Sequence, residues 1–368
     1  MSVSALPAPS RATTAGARVI RVGLLGFGQV GQAVARAAAA AAPRLGARGC
    51  AVSIACALVR DVAKPRRAPA VARLTSNAEA FLRGRYDVVI DVMAGREPAA
   101  TLAGRVLGRG TPVVSANKIM IAGDGPRLRR IAARAGTSLR VDAAVIAGVP
   151  FVGAFERRPL AAHVTRFAGI VNATSHFILS RVAAGLTFEA ALGEAQALGY
   201  AEPDAAADIS GADALAKLVL LCDTLFGAVI RPGAVRVDGI AGVTREDLAE
   251  AARLGGVVKP VIAAERIDGR GAPFISAFVG PAWVPVSHPL ASVTGRDNAI
   301  VIDSRHSGRL VFAGPGAGPD ITAATLLDDA IEAVTGGRDG HPQSAQRAAA
   351  PVIVRSPAAS GRWRTLDG

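Results

Sequence analysis

The sequence predicts an α/β fold, with an N-terminal doubly wound parallel sheet and a following half of α+β type. Three observations carry this. An apolar run, Arg18–Leu25, leads straight into Gly26-Phe-Gly28-Gln-Val-Gly31 and an Ala-rich helical stretch. Short apolar runs then alternate with helical patterns to about residue 140, as βαβ units do. Beyond that point helices cluster together and strands cluster together, which marks an α+β unit. With 368 residues and 51% apolar composition, the chain is long enough for two domains with substantial cores.

The elements follow in order. Residues 1–17 are rich in Ser, Ala, Pro and Thr and read as a disordered tail. Arg18–Leu25 is a buried strand, and the helix after the glycines is expected to run to about Ala42. Strands at Ala51–Val59, Asp87–Val92 and Thr111–Ser115 complete a first domain over 18–145. A catalytic and dimerisation domain is expected over 146–318. Its strand Val164–Val171 precedes helices at 173–184, 188–198 and 210–226, and strands at 257–266, 273–280, 298–303 and 308–313. A glycine loop, Gly314–Gly318, leads to a helix over Ile321–Val334 with Thr322 opening it. The segment 319–336 is expected to return to the first domain, and 337–368 reads as a loosely ordered tail.

Composition excludes some classes. The formal charge is +13, but the arginines are spread along the chain and aromatics are not interleaved with them, so nucleic acid is not the expected partner. No apolar run reaches membrane-spanning length. Cys50, Cys56 and Cys222 have no metal-site spacing and cannot all pair, which fits a reducing cytoplasm.

The strand–glycine turn–helix order is that of a Rossmann-like dinucleotide site. Gly26, Phe27, Gly28, Gln29, Val30 and Gly31 would let a pyrophosphate approach the backbone at a helix N-terminus. At the end of the second strand an acid would bind adenosine ribose hydroxyls, and a base would accept a 2′-phosphate. Both stand there: Asp61 lies among Arg60, Lys64, Arg66 and Arg67. The four bases favour NADP over NAD.

The chain carries 42 Lys and Arg, but only four are lysines: Lys64, Lys118, Lys217 and Lys259. Residues 182–216 hold six acids and no base, and then Lys217 arrives. Arg stays protonated, whereas a desolvated Lys can exchange its proton. Asp213 and Lys217 are four apart, on one face of a helix. An acidic pocket with one titratable ammonium suits a small substrate bearing its own ammonium group. On spacing alone, an ordinary solvated Asp–Lys pair reads equally well.

Taken together these residues resemble homoserine dehydrogenase. The resemblance runs from about Val19 to Val334 and rests on motifs in sequence. They are Gly26, Gly28 and Gly31; Val114-Ser-Ala-Asn117-Lys118; Asp142-Ala-Ala-Val145-Ile-Ala147-Gly148-Val149-Pro150; Gly169-Ile-Val-Asn172-Ala-Thr174; Tyr200-Ala-Glu202-Pro-Asp204; Asp208; and Gly211-Ala-Asp213 through Lys217. His288-Pro-Leu, Asn298-Ala and Gly314–Gly318 close the pattern. The resemblance implies interconversion of L-aspartate 4-semialdehyde and L-homoserine with NADPH or NADH, on the way to threonine and methionine. It implies Lys217 as proton donor, directly or through a water it holds, with Lys118 beside the nicotinamide and the substrate; the sequence does not rank the two lysines, whose roles could be reversed, and two neighbouring ammonium groups lower each other's pKa. It implies Glu202 and Asp208 on the substrate's ammonium and chain, Asp213 orienting Lys217, and Thr174 and Tyr200 lining the pocket. Ser115, Asn117 and Gly316 join the cofactor residues. A Na+ ion held by carbonyls of Val145, Ala147 and Val149 with Asp142 is a further implication, as is a homodimer. The chain ends soon after its last core helix, so a short form without the family's C-terminal ligand-sensing ACT domain is expected. Asp204 and His288 read as turn residues.

Three departures stand out. The family's Asn-Gly-Thr is Asn172-Ala173-Thr174, its Thr-Asn-Tyr is Ser175-His176-Phe177, and its cation-loop Glu is Asp142. They keep a second expectation open, a related reductase of another amino-acid-like aldehyde or ketone. A non-catalytic dinucleotide-binding sensor is a third.

Overall fold

The computed structural model describes residues 18–67, 71–149, 151–157, 163–268, 272–316, 318–336, 350–355 and 364–366. The expected tail at 1–17, most of that at 337–368, and Pro150 lie outside the described residues.

The first sheet has six parallel strands: β1 (Arg18–Leu25), β2 (Cys50–Leu58), β3 (Leu74–Thr75), β4 (Val88–Asp91), β5 (Val113–Ser115) and β6 (Leu139–Arg140). Helices α1 (Gln29–Gly46), α2 (Ala78–Leu82), α3 (Ala99–Leu107) and α4 (Lys118–Arg134) connect them. Ile20, Val22, Leu24 and Val88–Ile90 are fully buried, because helices cover both faces and a parallel strand then needs no polar side. The strand order is β3-β2-β1-β4-β5-β6. It reverses between β1 and β4, and this opens a crevice at their carboxyl ends. α1 runs through Pro43 to Gly46, beyond the expected Ala42.

Two short helices, α5 (Asp142–Val145) and α6 (Val152–Arg157), lead to β7 (Val164–Ile170). Then come α7 (Ala173–Ala183), α8 (Phe188–Ala197), α9 (Ala206–Ile209) and α10 (Ala212–Phe226). Two short strands follow, β8 (Ala228–Val229) and β9 (Arg236–Val237), before α11 (Arg245–Arg253). The long strands are β10 (Gly256–Ile267), β11 (Phe274–Pro285), β12 (Asp297–Ser304) and β13 (Gly308–Pro315). After α12 (Pro319–Thr335) come β14 (Ala350–Pro351), β15 (Ile353–Arg355) and β16 (Arg364–Thr365).

The second sheet runs β13-β12-β7-β10-β11-β15, with β9 and β16 also on β11. β14 pairs with β8. β11 continues past the expected stop at residue 280, because Pro281 lies opposite Pro260 and the missing donors fall at one position of the ladder. α12 begins at Pro319 with Gly318 as its N-cap, so Thr322 does not open it; the Thr322 N–H already bonds to the Gly318 carbonyl. Ala323, Leu326, Leu327 and Ala330 of α12 share a core with Val34 and Ala38 of α1, so the chain returns to the first sheet. α4 packs on α10, and a buried ion pair, Arg129–Asp223, ties the two helices together.

Candidate active site

The glycine turn between β1 and α1 has the shape a dinucleotide needs. Gly26 has φ of +97°, and a Cβ there would meet the Val92 carbonyl at 3.0 Å. A Cβ on Gly31 would stand 2.8 Å from the Gly26 carbonyl, so this turn closes only with glycine. At Gly28 the added Cβ meets nothing within 4 Å. That open backbone, facing a helix start without acids, is where an anion can approach. Phe27 is buried and anchors the turn, while Gln29 and Val30 begin α1.

Arg66, beyond the strand end, holds the basic loop against this turn. Its Nε donates to the Phe27 carbonyl (3.3 Å), Nη1 to that of Lys64 (2.8 Å) and Nη2 to that of Asp61 (2.8 Å). Arg67 N–H donates to Gln32 of α1 at 2.8 Å. Arg60 and Lys64 stay exposed beside it. Arg66 is therefore spent on loop structure, a role its position in a run of bases did not distinguish.

At the ends of β4 and β5 a relay of hydrogen bonds sets the start of α4. Ser115 Oγ donates to Asp91 Oδ2 (2.8 Å) and accepts from Asn117 N–H (3.0 Å). Asn117 caps α4 by accepting from Met120 N–H at 3.1 Å, and its Nδ2 donates to the Gly95 carbonyl at 2.7 Å. Burial pushes the Asp91 carboxyl up to about 6, although hydrogen bonds from Met93, Ser115 and Asn117 oppose it. Lys118 is thereby fixed as the first residue of α4.

α10 begins at Gly211, whose φ of +84° turns the chain out of α9. Its first two turns present Asp213 and Lys217 to the start of α4. Lys217 Nζ lies 2.9 Å from Asp213 Oδ2, and Lys118 Nζ lies 3.1 Å from Asp213 Oδ1. Lys217 also donates to the Val171 carbonyl at the end of β7. The Lys217 side chain is 8% exposed, whereas that of Lys118 is 37% exposed. Burial lowers the Lys217 pKa, and the Lys118 charge adds to that; Asp213 opposes both. For Asp213 itself burial acts upward, but the two ammonium groups and Asn172 outweigh it and hold the carboxyl below its usual range.

Asn172 joins this cluster to the acidic loop. Its Nδ2 donates to Asp208 Oδ1 (2.6 Å) and Asp213 Oδ2 (2.9 Å), and its Oδ1 caps α7 at Ser175 N–H (2.8 Å). Sequence reading did not name Asn172 as a site residue, although an Asn before a helix start was its signal. Thr174 Oγ1 donates to the Tyr200 carbonyl at 2.8 Å, so these two expected pocket residues do meet. Arg296, also missed, lies over the Tyr200 ring at 4.0 Å. Glu202 is exposed and its carboxylate makes no hydrogen bond among the described residues. A cavity of ≈ 20 Å³, the size of a water, borders Asn172, Ser175, Asp208 and Gly211. Asp204 caps the turn to α9 through Ala206 N–H (3.1 Å), and His288 Nδ1 accepts from Leu290 N–H (3.2 Å).

The loop of Asp142, Val145, Ala147 and Val149 is buried and internally bonded. Asp142 Oδ2 accepts from Gly153 N–H at 2.9 Å, the Ala147 carbonyl accepts from Thr325, and that of Val149 accepts from Phe151 N–H at 2.9 Å. Gly316 lies against Asn298: a Cβ there would sit 2.3 Å from the Asn298 amide. Both polar atoms of that buried amide lack a partner among the described residues.

Comparison with known proteins places this arrangement. A family model described as "Homoserine dehydrogenase, NAD binding domain" matches residues 26–142, and one described as "Homoserine dehydrogenase" matches 150–331. The homoserine dehydrogenase of Mycobacterium leprae is 38% identical over 320 residues, covering 86% of this chain and 72% of that protein. That of Corynebacterium glutamicum is 36% identical over 87% of this chain and 74% of its own length. The chain belongs to the homoserine dehydrogenase family. The crystal structure of the enzyme from Thiobacillus denitrificans superposes with a TM-score of 0.85 at 31% identity, covering 93% of this chain and 80% of that one. The protein is thus an oxidoreductase of amino-acid biosynthesis with a domain for a nicotinamide dinucleotide. No helix among the described residues is long and apolar enough to cross a membrane.

Homoserine dehydrogenase membership sharpens the three departures. Ala173 is the first residue of α7, and no residue other than glycine has positive φ among the described residues, so the backbone here does not need the family's glycine. His176 is fully buried on the far side of α7, 3.2 Å from Lys259 Nζ, and is not part of the Lys118–Asp213–Lys217 cluster. Asp142 reaches the Gly153 backbone despite its shorter chain.

Proposed function

We propose that the chain interconverts L-aspartate 4-semialdehyde and L-homoserine, with Lys217 as proton donor and NADP(H) preferred over NAD(H). One observation carries this reading: a buried Lys217 ammonium shares one carboxylate, Asp213, with Lys118 at the mouth of the dinucleotide crevice.

The cofactor residues fit a dinucleotide in two respects, the open backbone at Gly28 and the amide of Asn298 at Gly316, which has no partner among the described residues. Gly26–Gly31 would hold the pyrophosphate, Arg60 and Lys64 a 2′-phosphate, and Ser115, Asn117, Lys118 and Gly316 would border the nicotinamide side. When bound, a reduced nicotinamide dinucleotide supplies a hydride. Lys217 delivers a proton to the carbonyl oxygen as charge builds on it, and its lowered pKa suits that transfer near neutral pH. Lys118 polarises the same carbonyl, and Asp213 keeps both ammonium groups aimed. Glu202 and Asp208 take the substrate's α-ammonium, with Thr174 and Tyr200 along its chain. The carbonyls of Ala147 and Val149 each accept a hydrogen bond and keep a second lone pair that an ion could take. An ion would share Asp142, Val145, Ala147 and Val149, and replacing Na+ by choline in the assay tests it.

The half-exposed edge strand β13 supports a homodimer built on the second sheet. We divide the chain at 18–145 and 146–318, with 319–336 closing the first unit. Three free, buried cysteines support a cytoplasmic location.

The test is oxidation of NADPH with L-aspartate 4-semialdehyde, repeated with NADH. Fast turnover, faster with NADPH, is the expected result. NADPH binding without turnover would redirect the search to another aldehyde.

A further inference from the structure

Tyr200, two residues ahead of Glu202, is held on three sides. Its carbonyl accepts from Thr174 Oγ1 at 2.8 Å. Phe177, also on α7, meets its ring edge-on, with centroids 5.1 Å apart and planes at 84°. The third side is the ring face, and the Arg296 guanidinium lies 4.0 Å from its centroid. An aromatic face attracts a cation through its quadrupole, and a planar guanidinium can stack on it. No carboxylate pairs with Arg296 among the described residues, so the ring, not an ion pair, orders this exposed side chain. A tight turn puts Arg296 there. Gly295 has φ of +61°, and Asp297 N–H donates back to the Thr294 carbonyl at 3.2 Å. Just before the turn, the Val293 carbonyl accepts from Lys259 Nζ at 2.7 Å, and the same ammonium stands 3.2 Å from His176 Nε2 on α7. The turn is thus tied to the helix that also supplies Thr174 and Phe177.

The loop that begins at Tyr200 is otherwise tied to the end of α8. The N–H groups of Tyr200 and Ala201 both donate to the Ala195 carbonyl, at 2.7 and 3.1 Å. Gln196 Nε2 donates to the carbonyls of Glu202 and Pro203 at 3.4 and 3.2 Å. These bonds fix the backbone on the α8 side, while the Tyr200 ring is what meets α7 and the turn at Arg296. We propose that Arg296 is a positioning residue for the amino-acid substrate: by covering the Tyr200 ring it holds the Tyr200–Asp204 loop, and with it Glu202, in its place at the pocket. The proposal rests on the reading of Tyr200 and Glu202 as substrate residues.

Amide hydrogen exchange and steady-state kinetics with NADP+ and L-homoserine test this together on the full chain. In Arg296→Ala the Tyr200 and Ala201 amides should exchange about threefold to tenfold faster, the range of an exposed cation–π contact. The KM for L-homoserine should rise by a similar factor, with kcat and the KM for NADP+ unchanged. Arg296→Lys keeps a cation for the ring and should recover part of both effects. In a Tyr200→Leu background, which lacks the ring face, Arg296→Ala should add nothing further. Arg296 is exposed, so its variants leave the core intact. Unchanged exchange in Arg296→Ala overturns the proposal. Faster exchange with an unchanged KM also overturns it, by separating the loop from substrate binding. A raised KM without faster exchange overturns it too, and assigns Arg296 a direct contact with the substrate. No turnover of L-homoserine by the unaltered protein is instead a failure of the proposed reaction, and exchange then decides by itself whether Arg296 holds the loop.

Discussion

Lys217 and Lys259 are both buried ammonium groups, 6% and 9% exposed, and burial lowers the pKa of each. Their surroundings differ. Lys217 faces Asp213, which it shares with Lys118, while Lys259 faces a neutral imidazole and a carbonyl. The difference separates a site that carries its own counter-charge from one that lacks it. The first keeps a proton in place for use, since the carboxylate offsets the desolvation that would otherwise drive the proton off. The second has no carboxylate beside it among the described residues, so burial alone sets the direction of its shift.

Breaking the first site should have the largest effect. Lys217→Ala removes the donor and should lower kcat by about 10³-fold, within the usual worth of general acid catalysis, with NADPH affinity unchanged. Steady-state kinetics and fluorescence titration of NADPH check this together. Asp213→Asn keeps both lysines but removes the charge that raises the Lys217 pKa. Turnover should fall by about a hundredfold. The high-pH limb of the reduction profile, which reports loss of the Lys217 proton, should move to lower pH in this variant.

The ion pair behind the cluster sets its geometry through packing. Asp223→Asn leaves Arg129 charged and buried between α4 and α10, and should cost about 3–5 kcal/mol by urea denaturation. At the glycine turn the protein leaves room for Cβ at Gly28 but not at Gly31. Gly28→Ala should therefore raise the KM for NADPH about tenfold with no loss of melting temperature, whereas Gly31→Ala should lower both affinity and stability.

At His176 the effect is confined to acid pH. Its folded pKa is lowered from 6.5 to about 4. As pH falls through this window the unfolded chain takes up the proton first, so the folded state loses stability on acidification. His176→Asn should remove about 2–3 kcal/mol of that loss at pH 4, leaving a flatter acid limb in thermal melts.

Much of this was legible in the sequence where the signal is local. The glycine turn is defined by adjacent residues, and the Asp213–Lys217 pair follows from helical spacing once α10 is a helix. α11 carried its own mark, because Thr244 and Asp247 form a capping box, yet its polar face hid it from a search for apolar periodicity. What stayed out of reach is contact across the chain. Lys118 and Asp213 lie 95 positions apart and meet only because α4 packs on α10. His176 read as a change near the substrate, but a helix has two sides and α7 turns it toward Lys259. Arg66 looked like one base of four until its three carbonyl acceptors were placed around it.

The central claim is that Lys217 gives up a proton and does not merely supply charge. Lys217→Arg tests it most directly, because a guanidinium keeps the charge and cannot release its proton in this pH range. With NADPH and L-aspartate 4-semialdehyde, the account predicts a turnover at least about a hundredfold below that of the unaltered protein, with NADPH binding retained. Turnover close to that of the unaltered protein would contradict it and leave Lys217 an electrostatic role alone.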